Sequence, residues 1–82
     1  MKYPAERKTW LRENPFKRAR RSARLHTSEV ALQVGVEHTT YRRWECGMRR
    51  PTPEHMKKLA TVLRVEPTTL IERYEIWRAF AP

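Results

Sequence analysis

Apolar residues recur along this chain at helical spacings, in windows closed by proline, glycine or capping residues. The clearest stripe is Met56, Leu59, Ala60 and Leu63, at i, i+3, i+4 and i+7. It starts from Thr52-Pro53-Glu54, which sets a hydroxyl at the N-cap, proline at the first helical position and an acid where the helix dipole is positive. Asn14-Pro15 is a second start of this kind, and it opens a helix over 15–24 with Phe16, Ala19, Arg20 and Ala23 on one face. Glu66-Pro67 opens the last helix, in which Leu70, Tyr74 and Trp77 form a stripe that Ile71, Ile76 and Phe80 widen. A helix this apolar is expected to bury more than one face. Residues 1–13 carry charge around isolated Tyr3, Trp10 and Leu11, and they suit either a short helix with Pro4 at its first position or a basic arm. No strand-like alternation and no internal repeat interrupts this pattern, so the chain is all-α.

Two shorter windows lie between these. Residues 28–34 turn Val30, Ala31 and Val34 inward, with Leu25 at the helix entrance, and residues 38–45 bury Tyr41 and Trp44. Only Gly35-Val36-Glu37 joins them, which requires a sharp corner, and Gly35 suits the left-handed backbone that ends a helix. That corner predicts a helix-turn-helix unit, whose second helix enters the DNA major groove. Burying Tyr41 and Trp44 leaves His38, Thr39, Arg42 and Arg43 exposed.

Charge strengthens this reading. Eighteen Lys and Arg against nine acidic residues give a net charge of +9, which attracts a polyanion. An anionic membrane surface is the competing partner, but it calls for a long amphipathic helix with basic flanks. With 82 residues the chain holds one domain with a small core. Cys46 is the single cysteine, which fits a reducing, cytoplasmic setting; no stretch reaches a membrane span and no signal-peptide pattern is present. His26, His38, His55 and Cys46 lack metal-ligand spacing, and no metal or cofactor is expected. The chain contains no Asp, no nucleophile motif and no phosphate-cradling glycine loop, so an enzyme is not expected.

Leu25-x-x-x-Glu29-Val30-Ala31-x-x-Val34-Gly35-Val36, then Tyr41-x-x-Trp44-Glu45-x-Gly47-x-x-x-Pro51, then Leu59-Ala60-x-x-Leu63-x-Val65-x-x-x-x-Leu70 resembles the Cro/repressor type of helix-turn-helix domain, found in lambdoid phage repressors and bacterial xenobiotic-response-element regulators. The resemblance implies a compact five-helix lambda-repressor-like DNA-binding domain over 15–71, with a basic N-terminal extension at 1–14 and an extended last helix at 72–82. It also implies base contacts from Glu37, His38, Thr39, Arg42 and Arg43, with Arg43 able to donate two hydrogen bonds to guanine. Phosphate contacts would come from Arg24, Thr27, Ser28 and Thr40, and from Arg49 and Arg50 in the basic loop Met48-Arg49-Arg50-Pro51. Arg20, set among inward positions, would pair with Glu45.

The chain departs from the family pattern where glycine usually ends two helices, since Arg24 and Arg64 stand there. His26 and Thr27 replace the usual glutamine clamp, and Glu37 replaces a Ser or Thr cap. The expected partner is a double-stranded DNA operator with an inverted repeat, bound by a homodimer, and the function is that of a repressor of phage, mobile-element or toxin–antitoxin type. Ile71, Ile76, Trp77 and Phe80 are the candidate dimer interface, against the alternative that they pack on the Tyr3/Trp10/Leu11 segment. A protein-interaction module, such as an antitoxin or coactivator-like adaptor, is the alternative function.

Overall fold

A computed structural model describes residues 4–82, with side chains from Glu6 onward; Tyr3 lies outside the described residues. These form six helices and no strand: α1 (Pro4–Arg12), α2 (Pro15–Ser22), α3 (Thr27–Val34), α4 (His38–Glu45), α5 (Pro53–Leu63) and α6 (Pro67–Ala79). Five match the expected domain, and the sixth, α1, is the N-terminal extension. Each predicted start is capped as the residues require. Asn14 Oδ1 accepts from Phe16 N at 2.8 Å, Thr52 Oγ1 accepts from His55 N at 3.2 Å, and Glu66 Oε1 accepts from Thr68 N at 2.8 Å.

The helix ends explain the two departures at arginine. Arg24 and Arg64 both take left-handed backbones, at φ 58° and 59°, as Gly35 and Gly47 do at 89° and 74°. After each of these residues the next N–H reaches back five positions: Leu25 to Arg20, Val36 to Ala31, Met48 to Arg43 and Val65 to Ala60. This closure satisfies carbonyls that a helix end would orphan. Leu25, Val36 and Val65 then pack against the core, and that burial offsets the roughly 1–2 kcal/mol a non-glycine residue loses in this conformation. As a result α2 stops at Ser22, two residues before the predicted end.

α2 packs on α4, α5 and α6, while α3 packs on α4 and α5. Phe16 stacks on Tyr74 at 4.6 Å in the middle of the core, beside buried Val30, Leu59, Leu63 and Leu70. α1 is held to α6 by one pair of rings. Trp10 and Trp77 stack at 4.0 Å with planes 1° apart, and each indole N–H donates to the other's backbone carbonyl at 2.7 Å.

This pair takes Trp77 onto the Trp10 segment, the alternative to a dimer interface. Trp77 is only 6% exposed and faces the fold, because an indole stacked on Trp10 with its N–H satisfied gains more inside than at a surface. Of the other three candidates, Ile71 does not share a face with Ile76 and Phe80. At about 100° per residue, Ile71 stands roughly 140° from Ile76 and 180° from Phe80 around the helix. Ile71, Ile76 and Phe80 are exposed, so within one chain α6 buries a single stripe, contrary to the expectation from its composition.

Candidate nucleic-acid interface

α4 divides by face. Tyr41 and Trp44 are buried and meet edge to face at 5.9 Å, which leaves His38, Thr39, Arg42 and Arg43 in solvent and Thr40 half-buried. Glu37, the N-cap residue, is exposed and its side chain caps no helix N–H. Among the described residues Arg42 and Arg43 make no hydrogen bond or ion pair through their side chains, so their guanidinium groups are free to meet a ligand.

Polar contacts from Asn14 and Arg20 hold the end of α4 in place. Buried Asn14, while capping α2, donates through Nδ2 to the Trp44 carbonyl at 3.3 Å. Arg20 grips Glu45 in a two-point contact, Nε to Oε2 at 2.7 Å and Nη2 to Oε1 at 3.2 Å, and Nη1 reaches the Leu25 carbonyl at 3.1 Å. The ion pair implied by the resemblance is therefore present, and it joins α2, the turn after it and the end of α4. The Tyr41 hydroxyl donates to the same Glu45 carboxylate. The Glu45 hydrogen bond raises the Arg20 pKa above its ordinary value, and burial, reinforced by the Glu45 charge, pushes Tyr41 far above the usual tyrosine range. Arg20 therefore stays charged and Tyr41 neutral, and no buried side-chain polar atom among the described residues lacks a partner.

The start of α3 adjoins the start of α4. His26 N donates to Glu29 Oε1 at 2.8 Å, which caps α3, and Thr27 Oγ1 lies 2.6 Å from His38 Nε2. That contact occupies one ring nitrogen of the exposed His38. Ser28 is exposed beside Thr27, and Arg24 is exposed on the preceding turn.

The basic loop after α4 is held by α6. Arg78 Nη1 donates to the Gly47 carbonyl at 3.1 Å, and the Tyr74 hydroxyl reaches the Arg49 carbonyl at 3.4 Å. Arg50 makes a two-point ion pair with Glu75, both contacts 2.9 Å, and lies 6.0 Å from the Tyr74 ring centre. The residues expected to bind phosphate thus differ: Arg49 is unpaired among the described residues, whereas Arg50 is neutralised by α6. Thr40, Arg43, Arg49 and Arg50 line one recess of about 250 Å3 with Thr52 and His55. Sequence reasoning assigned no binding role to Thr52 and His55. The Thr52-Pro53 cap was their signal, because it brings the start of α5 to the recess. Ile71, Ile76 and Phe80 take no part in this surface.

The arrangement is an exposed row on one short helix, two helix starts side by side and a basic loop braced from behind. A helix-turn-helix family model matches residues 16–70, about two thirds of the chain. The chain belongs to the helix-turn-helix family. It is a Cro/repressor-type member, a lambda-repressor-like all-α domain, and a DNA-binding transcription regulator. The family is one of DNA-binding regulatory domains and not a class of enzymes. No curated protein and no solved structure shows significant similarity to the chain. No helix among the described residues is long and apolar enough to cross a membrane.

Proposed function

We propose that this helix-turn-helix regulator is a repressor of phage, mobile-element or toxin–antitoxin type that lays α4 in the major groove of its operator. The observation that carries the reading is the exposed row His38, Thr39, Arg42 and Arg43 on a helix whose other side is tied down through Trp44 and Glu45 by Asn14 and Arg20. Arg43 is the principal reader, with two-point donation to a guanine worth ~1–3 kcal/mol of discrimination. His38 and Thr39 contact neighbouring base edges, and Glu37 lies at the rim of the set. Thr27, Ser28, Thr40, Arg24 and Arg49 hold phosphate, which fixes register without reading sequence. Arg50 joins them only by leaving Glu75.

One module spans few base pairs, so two copies bind an inverted repeat with half-sites ~34–36 Å apart. With Trp77 inside the fold, these copies meet on the operator, and DNA supplies most of their association. Selection from a pool of randomised duplexes tests the reading. The wild type should enrich a two-fold-symmetric sequence, and Arg43→Ala should lose preference at one base pair in each half-site. Recovery of no common sequence would leave only non-specific DNA coating.

A further inference from the structure

Ile76 and Phe80, 60% and 76% exposed, stand at the mouth of a groove of about 870 Å3 between α2 and α6. Its floor is apolar: Ala19 from α2 and Ala23 from its C-cap, with buried Leu70 and Trp77 from α6. Three exposed arginines rim it, Arg18 from α2, Arg64 from the turn after α5 and Arg73 from α6. None of the three makes an ion pair among the described residues, and Glu13 is the single acid in the lining. The groove shares no residue with the recess beside α4.

We propose that the groove between α2 and α6 receives an acidic amphipathic helix of another protein, on a side of the domain separate from its DNA-reading row. Shape and charge both select this occupant. The wall from Leu70 in α6 to its C-cap Phe80 is about 15 Å long, which matches roughly three turns of a docked helix. The apolar floor takes that helix's anchors, and unpaired arginines on three sides complement acids on its flanks. A second copy of this chain fits poorly. Two-fold contact would gather both copies' Arg18, Arg64 and Arg73 into one interface with Glu13 as the single acid from each lining, and Ile76 with Phe80 supply a minor part of the roughly 800 Å2 per partner in a standard interface. Duplex DNA offers nothing to an apolar floor. Because α4 stays uncovered, the regulator can hold the partner while bound to DNA.

The test uses a fluorescent synthetic amphipathic helix of about 14 residues, with leucine and phenylalanine at spacings of three and four and glutamate elsewhere. Its counterpart carries lysine in place of glutamate. Anisotropy is read with the full chain, first free and then saturated with duplex DNA. The glutamate helix should bind in both states and the lysine helix should not. Phe80→Ser and Arg73→Glu should each weaken binding at least about tenfold, a loss of ~1.4 kcal/mol. Both side chains are exposed, and urea melts check that the variants fold; Arg18→Glu repeats the charge test from another helix. No binding by the glutamate helix, equal binding of the two helices or loss of binding on saturation with DNA would each overturn the proposal. So would a dimer, seen by sedimentation in the absence of DNA, that Phe80→Ser dissociates.

Discussion

Gly47 carries more of the fold than its position in a surface loop suggests, and Gly47→Ala measures how much. Two separate costs meet there. The backbone is left-handed at φ 74°, which costs an alanine roughly 1–2 kcal/mol. An added Cβ would also sit 2.9 Å from Trp10 Cη2 and 3.0 Å from Trp77 Cη2. These rings cannot easily retreat, since they are stacked on each other and fixed by two reciprocal 2.7 Å hydrogen bonds. Overpacking of this kind adds typically 1–3 kcal/mol, so Gly47→Ala should cost about 2–5 kcal/mol. Gly35→Ala is the matched control, for it is left-handed at φ 89° with nothing within 4 Å of the added atom; it should cost only the backbone share, about 1–2 kcal/mol. Urea unfolding followed by tryptophan fluorescence gives both values. In a Trp10→Ala background the excess at Gly47 should shrink. Equal costs at the two glycines, or an excess that survives Trp10→Ala, would refute the view that the tryptophan pair seats on Gly47.

Glu45→Gln should lower stability by about 1–3 kcal/mol in thermal or urea melts, because it leaves the partly buried Arg20 guanidinium without its counter-charge. Replacing Arg20 and Glu45 together with apolar residues should cost less than that single change. The Tyr41 hydroxyl is held neutral by burial and by Glu45, whereas in the unfolded chain it ionises near pH ~10. Its contribution is therefore intact below that pH and is lost as pH rises above it, by about 1.4 kcal/mol per pH unit. Tyr41→Phe should flatten that alkaline slope in urea midpoints measured from neutral to alkaline pH. For DNA, Arg49→Ala should reduce the slope of log affinity against log salt by about 0.9, and Arg50→Ala by clearly less. Glu75→Gln, which frees Arg50, should steepen the slope; equal effects from the two arginines would place Arg50 on phosphate after all.

Local chemistry made most of the fold legible. Asn14-Pro15, Thr52-Pro53 and Glu66-Pro67 announce helix starts within three residues, and the stripes through Val30, Tyr41 and Leu59 name the core because each lies on one helical face. Contacts between distant residues were legible only in part. The resemblance implied Arg20 with Glu45, but nothing local pairs Trp10 with Trp77, 67 positions away, or Arg50 with Glu75. Apolar character alone therefore left Trp77 between an interface and the Trp10 segment, and left Arg50 free for phosphate. Ile76 and Phe80 show the opposite limit. Their hydrophobicity signals burial, but against a groove that remains open in the single chain.

The exposed row of α4 was legible as a surface, since burying Tyr41 and Trp44 leaves only one row outside. Its chemistry was less so. The Thr27 to His38 contact depends on how closely two helix starts approach, and the left-handed arginines depend on closures that only the packed helices of the domain support.

The central claim is that α4 reads sequence and that Arg43 is its principal reader. The most direct measurement titrates wild type and Arg43→Ala with the selected duplex and a scrambled duplex at one fixed salt concentration. Arg43→Ala should weaken the selected duplex by ~1–3 kcal/mol for each half-site more than the scrambled one, so that the specificity ratio collapses. An equal loss on both duplexes would reduce Arg43 to a phosphate contact and contradict the account.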